Sequence, residues 1–200
     1  SKPKEEAKVA ETKKNGWIEE ENQWRFYENN KPVTKWKQIQ GKWYYFDKDG
    51  NRLSNTTFDG YAFDNDGVMA SGGWIKLTDK WYYSNSSGKI SQEKWEKIGN
   101  SWYYFDKNGI MLSNTIFNGY LFSDSGAMAT NSWVKINEQW YYAQASGKPT
   151  QLKWENIGNT WYFFNADGSM ASNQWKGNYF LKTSGAMANK EWIFDKTYNS

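Results

Sequence analysis

The sequence predicts an all-β fold, a solenoid or superhelix of stacked β-hairpin repeats of about 20 residues each, on three observations. The first is a recurring aromatic run closed by a polar turn. Gly41-Lys42-Trp43-Tyr44-Tyr45-Phe46-Asp47-Lys48-Asp49-Gly50 returns as Asn100-Ser101-Trp102-Tyr103-Tyr104-Phe105-Asp106-Lys107-Asn108-Gly109 and as Asn159-Thr160-Trp161-Tyr162-Phe163-Phe164-Asn165-Ala166-Asp167-Gly168, with looser copies at Lys80-Trp81-Tyr82-Tyr83 and Gln139-Trp140-Tyr141-Tyr142. The second is a longer period. Trp36, Trp95 and Trp154 stand 59 residues apart, as do Phe58 and Phe117, and Trp74 and Trp133, so three short units form a duplicated triplet. The third is composition: a mean hydropathy of −0.97 leaves little aliphatic material, yet 20% of the chain is aromatic, which a disordered sequence would not be.

Residues 1–14 hold five lysines, three glutamates and no aromatic, so they cannot bury enough surface to offset their ordering entropy and read as a flexible linker or tail. The repeat module runs from 15 to 200. Within one unit, Trp36-Lys37-Gln38-Ile39 and Lys42-Trp43-Tyr44-Tyr45-Phe46 are aromatic and β-branched runs around the tight turn Gln40-Gly41, a hairpin signal. Asp-Lys-Asp-Gly and Asn-Ala-Asp-Gly then reverse the chain toward the next unit. All five methionines (Met69, Met111, Met128, Met170 and Met187) fall two residues after such a glycine, at the junction between hairpins, where a polarizable thioether can meet a ring edge. A lone hairpin is marginal, so the units must stack. Side chains alternate, so Trp43 and Tyr45 share one face and Tyr44 and Phe46 the other, one for stacking and one free for a ligand. Trp192 opens a unit that Ser200 leaves incomplete, and the parent protein is expected to continue.

Composition removes several classes of function. With no cysteine there is no disulfide or thiolate metal site, and with no histidine the usual general base and commonest metal ligand are missing. The formal charge of +3 is spread without a basic stripe, which argues against nucleic acid. No apolar run is long enough to span a membrane. Asp64-Asn65-Asp66-Gly67 resembles the start of a calcium loop but lacks the later glutamate, and a solvated turn accounts for it. A catalytic carboxylate pair has no reason to be copied in every repeat, so the carboxylates read as turn residues and the chain as non-catalytic, with no cofactor or metal.

What remains is tryptophan. Two indoles seven residues apart across a hairpin, as in Trp36 and Trp43 or Trp74 and Trp81, can stand on the same face and, with a ring from the next unit, form a three-walled box. Such a box suits a quaternary ammonium, whose methyl groups leave water without losing an N–H hydrogen bond.

Gly-Trp, Trp-Tyr-Tyr-Phe and Gly-x-Met together, from about residue 15 to 200, resemble the choline-binding repeats of pneumococcal and related surface proteins. The resemblance implies a hairpin superhelix that binds choline or phosphocholine of teichoic and lipoteichoic acids, secreted to the bacterial cell wall. It further implies a catalytic domain in the same parent chain, after Ser200, of a murein hydrolase such as an endo-β-N-acetylglucosaminidase. Carried over residue by residue, the sites are Trp17, Trp24 and Tyr45; Trp36, Trp43 and Phe63; Trp74, Trp81 and Tyr104; Trp95, Trp102 and Phe122; and Trp133, Trp140 and Phe163, lined by Met69, Met111, Met128 and Met170. The short units around Phe58/Tyr61 and Phe117/Tyr120 lack both tryptophans, and Trp154/Trp161 would draw Leu181, which has no π face, so fewer sites than repeats are expected. Two rivals stand beside this reading: a glucan-binding repeat with open ring platforms, and a structural spacer or adhesin.

Overall fold

The computed structural model describes residues 3–4 and 12–190, so the repeat expected to begin at Trp192 and most of the N-terminal stretch lie outside the described residues. The described residues are all-β: every regular element is a strand of an antiparallel hairpin. The chain divides into two compact units, Ser1–Gln92 with Lys107–Ile110, and Glu93–Asp106 with Met111–Ser200. The first holds β1 (Gly16–Glu20), β2 (Gln23–Glu28), β3 (Lys31–Pro32), β4 (Lys35–Ile39), β5 (Lys42–Phe46), β6 (Thr56–Phe58), β7 (Tyr61–Phe63), β8 (Gly73–Leu77) and β9 (Lys80–Ser84). The second holds β10 (Lys94–Ile98), β11 (Ser101–Phe105), β12 (Thr115–Phe117), β13 (Tyr120–Phe122), β14 (Ser132–Ile136), β15 (Gln139–Ala143), β16 (Lys153–Ile157), β17 (Thr160–Phe164), β18 (Gln174–Lys176) and β19 (Tyr179–Leu181).

Each hairpin is a sheet of its own; only β1–β2 gains a third strand, β3. Several of the two-residue loops take positive φ at both positions, and the sequence supplies residues that tolerate it: Gln40 and Gly41 at 50° and 79°, Asn118 and Gly119 at 50° and 80°. The linking turns are held by an Asx cap. Asp47 Oδ1 accepts from the amides of Asp49 and Asn51, and Asp64 Oδ1 accepts from those of Asp66 and Val68, so the carboxylate of the calcium-like stretch is spent on its own backbone.

Except after Gly147, where Pro149 follows, successive hairpins within a unit are knitted by the residues after the turn glycine. The amide two residues on donates to the preceding hairpin, as Met69 to Trp43 O (2.9 Å) and Met170 to Trp140 O (2.7 Å). The next amide returns to its own hairpin, as Ala70 to Ala62 O and Ala171 to Phe163 O. From β5 onward the last residue of each second strand is sealed beneath this crossing: Phe46, Phe63, Phe105, Phe122, Phe164, Ala143 and Leu181 are 0% exposed and Ser84 1%. These side chains are the core of the repeat.

Two aliphatic clusters supplement them. In the first unit Ala62, Leu77, Tyr82 and Ile90 pack together with Ile75 and Ile110; in the second, Leu121, Val134, Ile136, Tyr141 and Ala143 do so with Ile116. Both lie beside the short hairpins β6–β7 and β12–β13, where the tryptophans are missing.

Before each first strand stands a residue of left-handed backbone. Asn55, Asn114, Asn131 and Asn173 fill it at φ between 47° and 53°, but Leu152 does so at φ 50° while 69% exposed. A leucine gains nothing there and carries the strain of its Cβ against the carbonyl. Leu152→Asn is therefore expected to raise stability by about 1 kcal/mol, checked by urea denaturation against the unsubstituted chain.

Candidate functional site

Antiparallel pairing decides which rings meet. In β4–β5, Trp36 stands opposite Tyr45 and Gln38 opposite Trp43, so Trp36, Trp43 and Tyr45 share one face; Lys35 opposite Phe46 and Lys37 opposite Tyr44 share the other. The first face turns toward the next hairpin. The second, carrying buried Tyr44 and Phe46, closes on the preceding one.

The tryptophan pairs form the first two walls. Ring centroids are 6.4 Å apart in Trp17–Trp24, 6.3 Å in Trp36–Trp43, 6.2 Å in Trp74–Trp81, 6.5 Å in Trp95–Trp102 and 6.3 Å in Trp133–Trp140, with planes at 81° to 90°. The third wall is a tyrosine of the following hairpin: Tyr44 at 4.9 Å from Trp17, Tyr61 at 5.0 Å from Trp36, Tyr120 at 5.2 Å from Trp95, Tyr162 at 4.8 Å from Trp133 and Tyr179 at 5.7 Å from Trp154. Methionine completes the lining. Cavities of ≈350, ≈400 and ≈320 Å³ are bounded by Trp36, Trp43, Tyr61 and Met69 with Ser87, by Trp133, Trp140, Tyr162 and Met170 with Ser184, and by Trp154, Trp161, Tyr179 and Met187. Met128 bears the same relation to Trp102, its amide donating to the Trp102 carbonyl at 2.7 Å. Met111 bridges Phe105 as Met128 bridges Phe122.

The third rings expected from sequence are corrected by this register. Tyr45, Tyr104 and Phe163 are cross-strand partners of Trp36, Trp95 and Trp154 and pack on them at 5.3, 5.5 and 5.4 Å, so they back a tryptophan of their own hairpin. Tyr45 and Phe163 are thus on the wrong face to close the box of the hairpin before theirs. Phe63 and Phe122 are on the right face, near Trp36 and Trp95, but both are fully buried and cannot meet a ligand. The Trp154/Trp161 pair, set aside because of Leu181, is complete: Leu181 is the sealed core residue, and Tyr179 two positions earlier is the wall. Alternation groups positions two and four of Trp-Tyr-Tyr-Phe on one face, and only the stacking of hairpins shows that this face meets the preceding pair.

Nor is one face left free for a ligand while the other stacks. The cavities open at the junction of consecutive hairpins, where the second tryptophan of each pair keeps its ring partly in water: Trp43 is 41% exposed and Trp161 44%. The short hairpin β6–β7 differs in kind. Its cavity of ≈570 Å³ is lined by Phe58, Tyr82, Gln92, Asn108 and the Lys89 ammonium, whose Nζ donates to Asp59 O. No tryptophan pair borders it.

Repeated hairpins with tryptophan pairs, a following aromatic and methionine are the pattern of a known family. Models of the choline-binding repeat match residues 92–133 and 169–199, and a cell wall binding repeat model matches 34–51, 72–90, 131–148 and 153–170. The chain belongs to the choline-binding repeat family. Among solved structures, this choline-binding repeat chain resembles the modular autolysin LytC of Streptococcus pneumoniae, determined with a synthetic peptidoglycan ligand, at 30% identity and a TM-score of 0.62, over 90% of this chain and 43% of that one. It also matches the choline-binding domain of CbpL from Streptococcus pneumoniae at 28% identity and a TM-score of 0.47, over 80% of this chain and 100% of that one. The chain thus spans less than half the length of LytC. Comparison with curated protein sequences finds no match. Among the described residues no helix is long and apolar enough to cross a membrane.

The methionine lining depends on glycine in the next unit. A Cβ on Gly147, at φ 88°, would overlap the Met128 thioether. Gly147→Ala is expected to cost about 1–2 kcal/mol, chiefly through the left-handed backbone, and to push Met128 off the Trp95/Trp102 pair. Denaturation midpoint together with acrylamide quenching of the indoles checks both effects.

Proposed function

We propose that this chain is a non-catalytic cell-wall-binding module, secreted to the bacterial surface, whose aromatic boxes bind choline or phosphocholine of teichoic and lipoteichoic acids. In this reading residues 1–14 are a linker, 15–200 form the repeat module, and the parent chain carries a peptidoglycan hydrolase domain. The resemblance to an autolysin solved with a peptidoglycan ligand supports the host assignment.

The observation that carries the reading is the makeup of the boxes. The Trp154 cavity is bounded by two indoles, a phenol and a thioether, with no carboxylate or amide side chain among them. A sugar needs directional hydrogen-bond partners along its hydroxyls, whereas a trimethylammonium needs only ring faces and apolar edges. A spacer would bury its indoles in the stack, but the outer tryptophans stay about two-fifths exposed. Among the rivals, therefore, choline fits the walls best.

Three ring contacts of about 0.5–2 kcal/mol each, less the cost of immobilisation, place one box near the millimolar range. Several boxes on one polymer then reach useful affinity through effective concentration. Titration of intrinsic tryptophan fluorescence with choline is expected to saturate at millimolar concentrations, with no response to glucose oligomers or to sodium chloride at matched ionic strength. Trp43→Ala is expected to lower the choline stoichiometry by one and leave the other boxes in use, since contacts are nearest-neighbour. Absence of any choline response from the folded chain would refute the reading.

A further inference from the structure

The lining position of every tryptophan-pair box described above is methionine except in the first. There the residue two after the turn glycine is Arg52, following Gly50. It takes the methionine's place in every structural respect. Arg52 bridges Phe46 as Met69 bridges Phe63, and its amide donates to Trp24 O at 2.8 Å as that of Met69 does to Trp43 O. Its stem lies over Gly67 at φ 78°, where a Cβ would strike the arginine side chain, just as Met69 lies over Gly88. The backbone register thus delivers a guanidinium to the place where the other boxes have a thioether.

That guanidinium reaches both indoles. Its carbon lies 5.5 Å from the ring centroid of Trp17 and 5.7 Å from that of Trp24, within cation–π range of each. Nε is buried and has no hydrogen-bond acceptor, so that edge of the cation has only its aromatic surroundings in exchange for water. Glu19, Asp64 and Asp66 supply negative potential around it. A second cation in this box would have to displace a covalently tethered one and face its charge.

Resting on the choline reading of the other boxes, we infer that the Trp17–Trp24–Tyr44 box is occupied by the chain's own Arg52, making it an internal clasp between hairpins β1–β2 and β4–β5. Arg52 is the specificity-determining residue: it converts a ligand box into a structural one, and methionine at this position restores a latent quaternary-ammonium site. The family resemblance implies Trp17 and Trp24 as choline residues; the clasp removes them from that set.

The test uses the full chain and choline as probe, with stoichiometry from isothermal titration calorimetry. Trp43→Ala is expected to lose one equivalent, Trp24→Ala to lose none, and Arg52→Met to gain one. A lost equivalent in Trp24→Ala, or an unchanged stoichiometry in an Arg52→Met chain with native circular dichroism, would overturn the inference. A ligand-free readout separates it from the reading on which it rests. In the unsubstituted chain the Arg52 δ-protons are expected to be shifted upfield by ring currents from two indoles, and random-coil shifts would overturn the clasp whatever choline does. If no variant takes up choline but the upfield shift is present, the choline reading fails and with it the latent site, while the clasp stands.

Discussion

The contact on which the rest depends is the edge-to-face meeting of the first tryptophan of one hairpin with the tyrosine of the next, 4.8–5.2 Å between centroids in Trp17–Tyr44, Trp36–Tyr61, Trp95–Tyr120 and Trp133–Tyr162. An isolated two-stranded hairpin is not stable in water, so each must be held by a neighbour. Here the holding ring is also a wall of the cavity. Stacking and box formation are therefore one event, and a hairpin without a following neighbour has only two walls.

The same alternation separates stability from binding along a single strand. In Trp43-Tyr44-Tyr45-Phe46, Phe46 is sealed, Tyr44 closes against the preceding pair, and Trp43 stays partly in water to serve the following cavity. Burial of Tyr44 raises its phenol pKa above the usual range, as expected for a group withdrawn from solvent. The four positions carry distinct duties because a strand has only two faces and each face meets a different neighbour.

Much of this was legible from sequence, and the part that was not has one cause. Hairpins, turns, the triplet period and the Trp36/Trp43-type pairs follow from local chemistry: loops that accept positive φ and aromatic runs of strand length. Which face of Trp-Tyr-Tyr-Phe meets which neighbour is a question of how separate sheets stack, and no local signal in the chain states it. Hence the sequence suggests Tyr45 as a wall although cross-strand pairing commits it to Trp36, and Leu181 as a lost wall although Tyr179 stands two residues before it. The aliphatic clusters around Leu77 and Val134 are not legible for a related reason: their members are scattered across hairpins and converge only when the short units close.

The architecture also explains how a box can be lost without losing a repeat. At the residue two after the turn glycine, the contact that ties consecutive hairpins is made by the main chain: Met187 donates to Trp161 O, Arg52 to Trp24 O, and Ile90 to Gly60 O. The side chain there is not needed for that main-chain tie and is free to vary with the chemistry of its cavity. Methionine leaves room between the indoles, arginine fills it with a cation, and isoleucine joins an apolar core where the indoles are absent. Pro149, which has no amide to donate, occupies the position after the hairpin that follows the short β12–β13 unit, where Leu121, Val134 and Ile136 supply apolar packing. Binding capacity in such a chain is thus set position by position, while the stack is maintained by groups that every residue but proline provides.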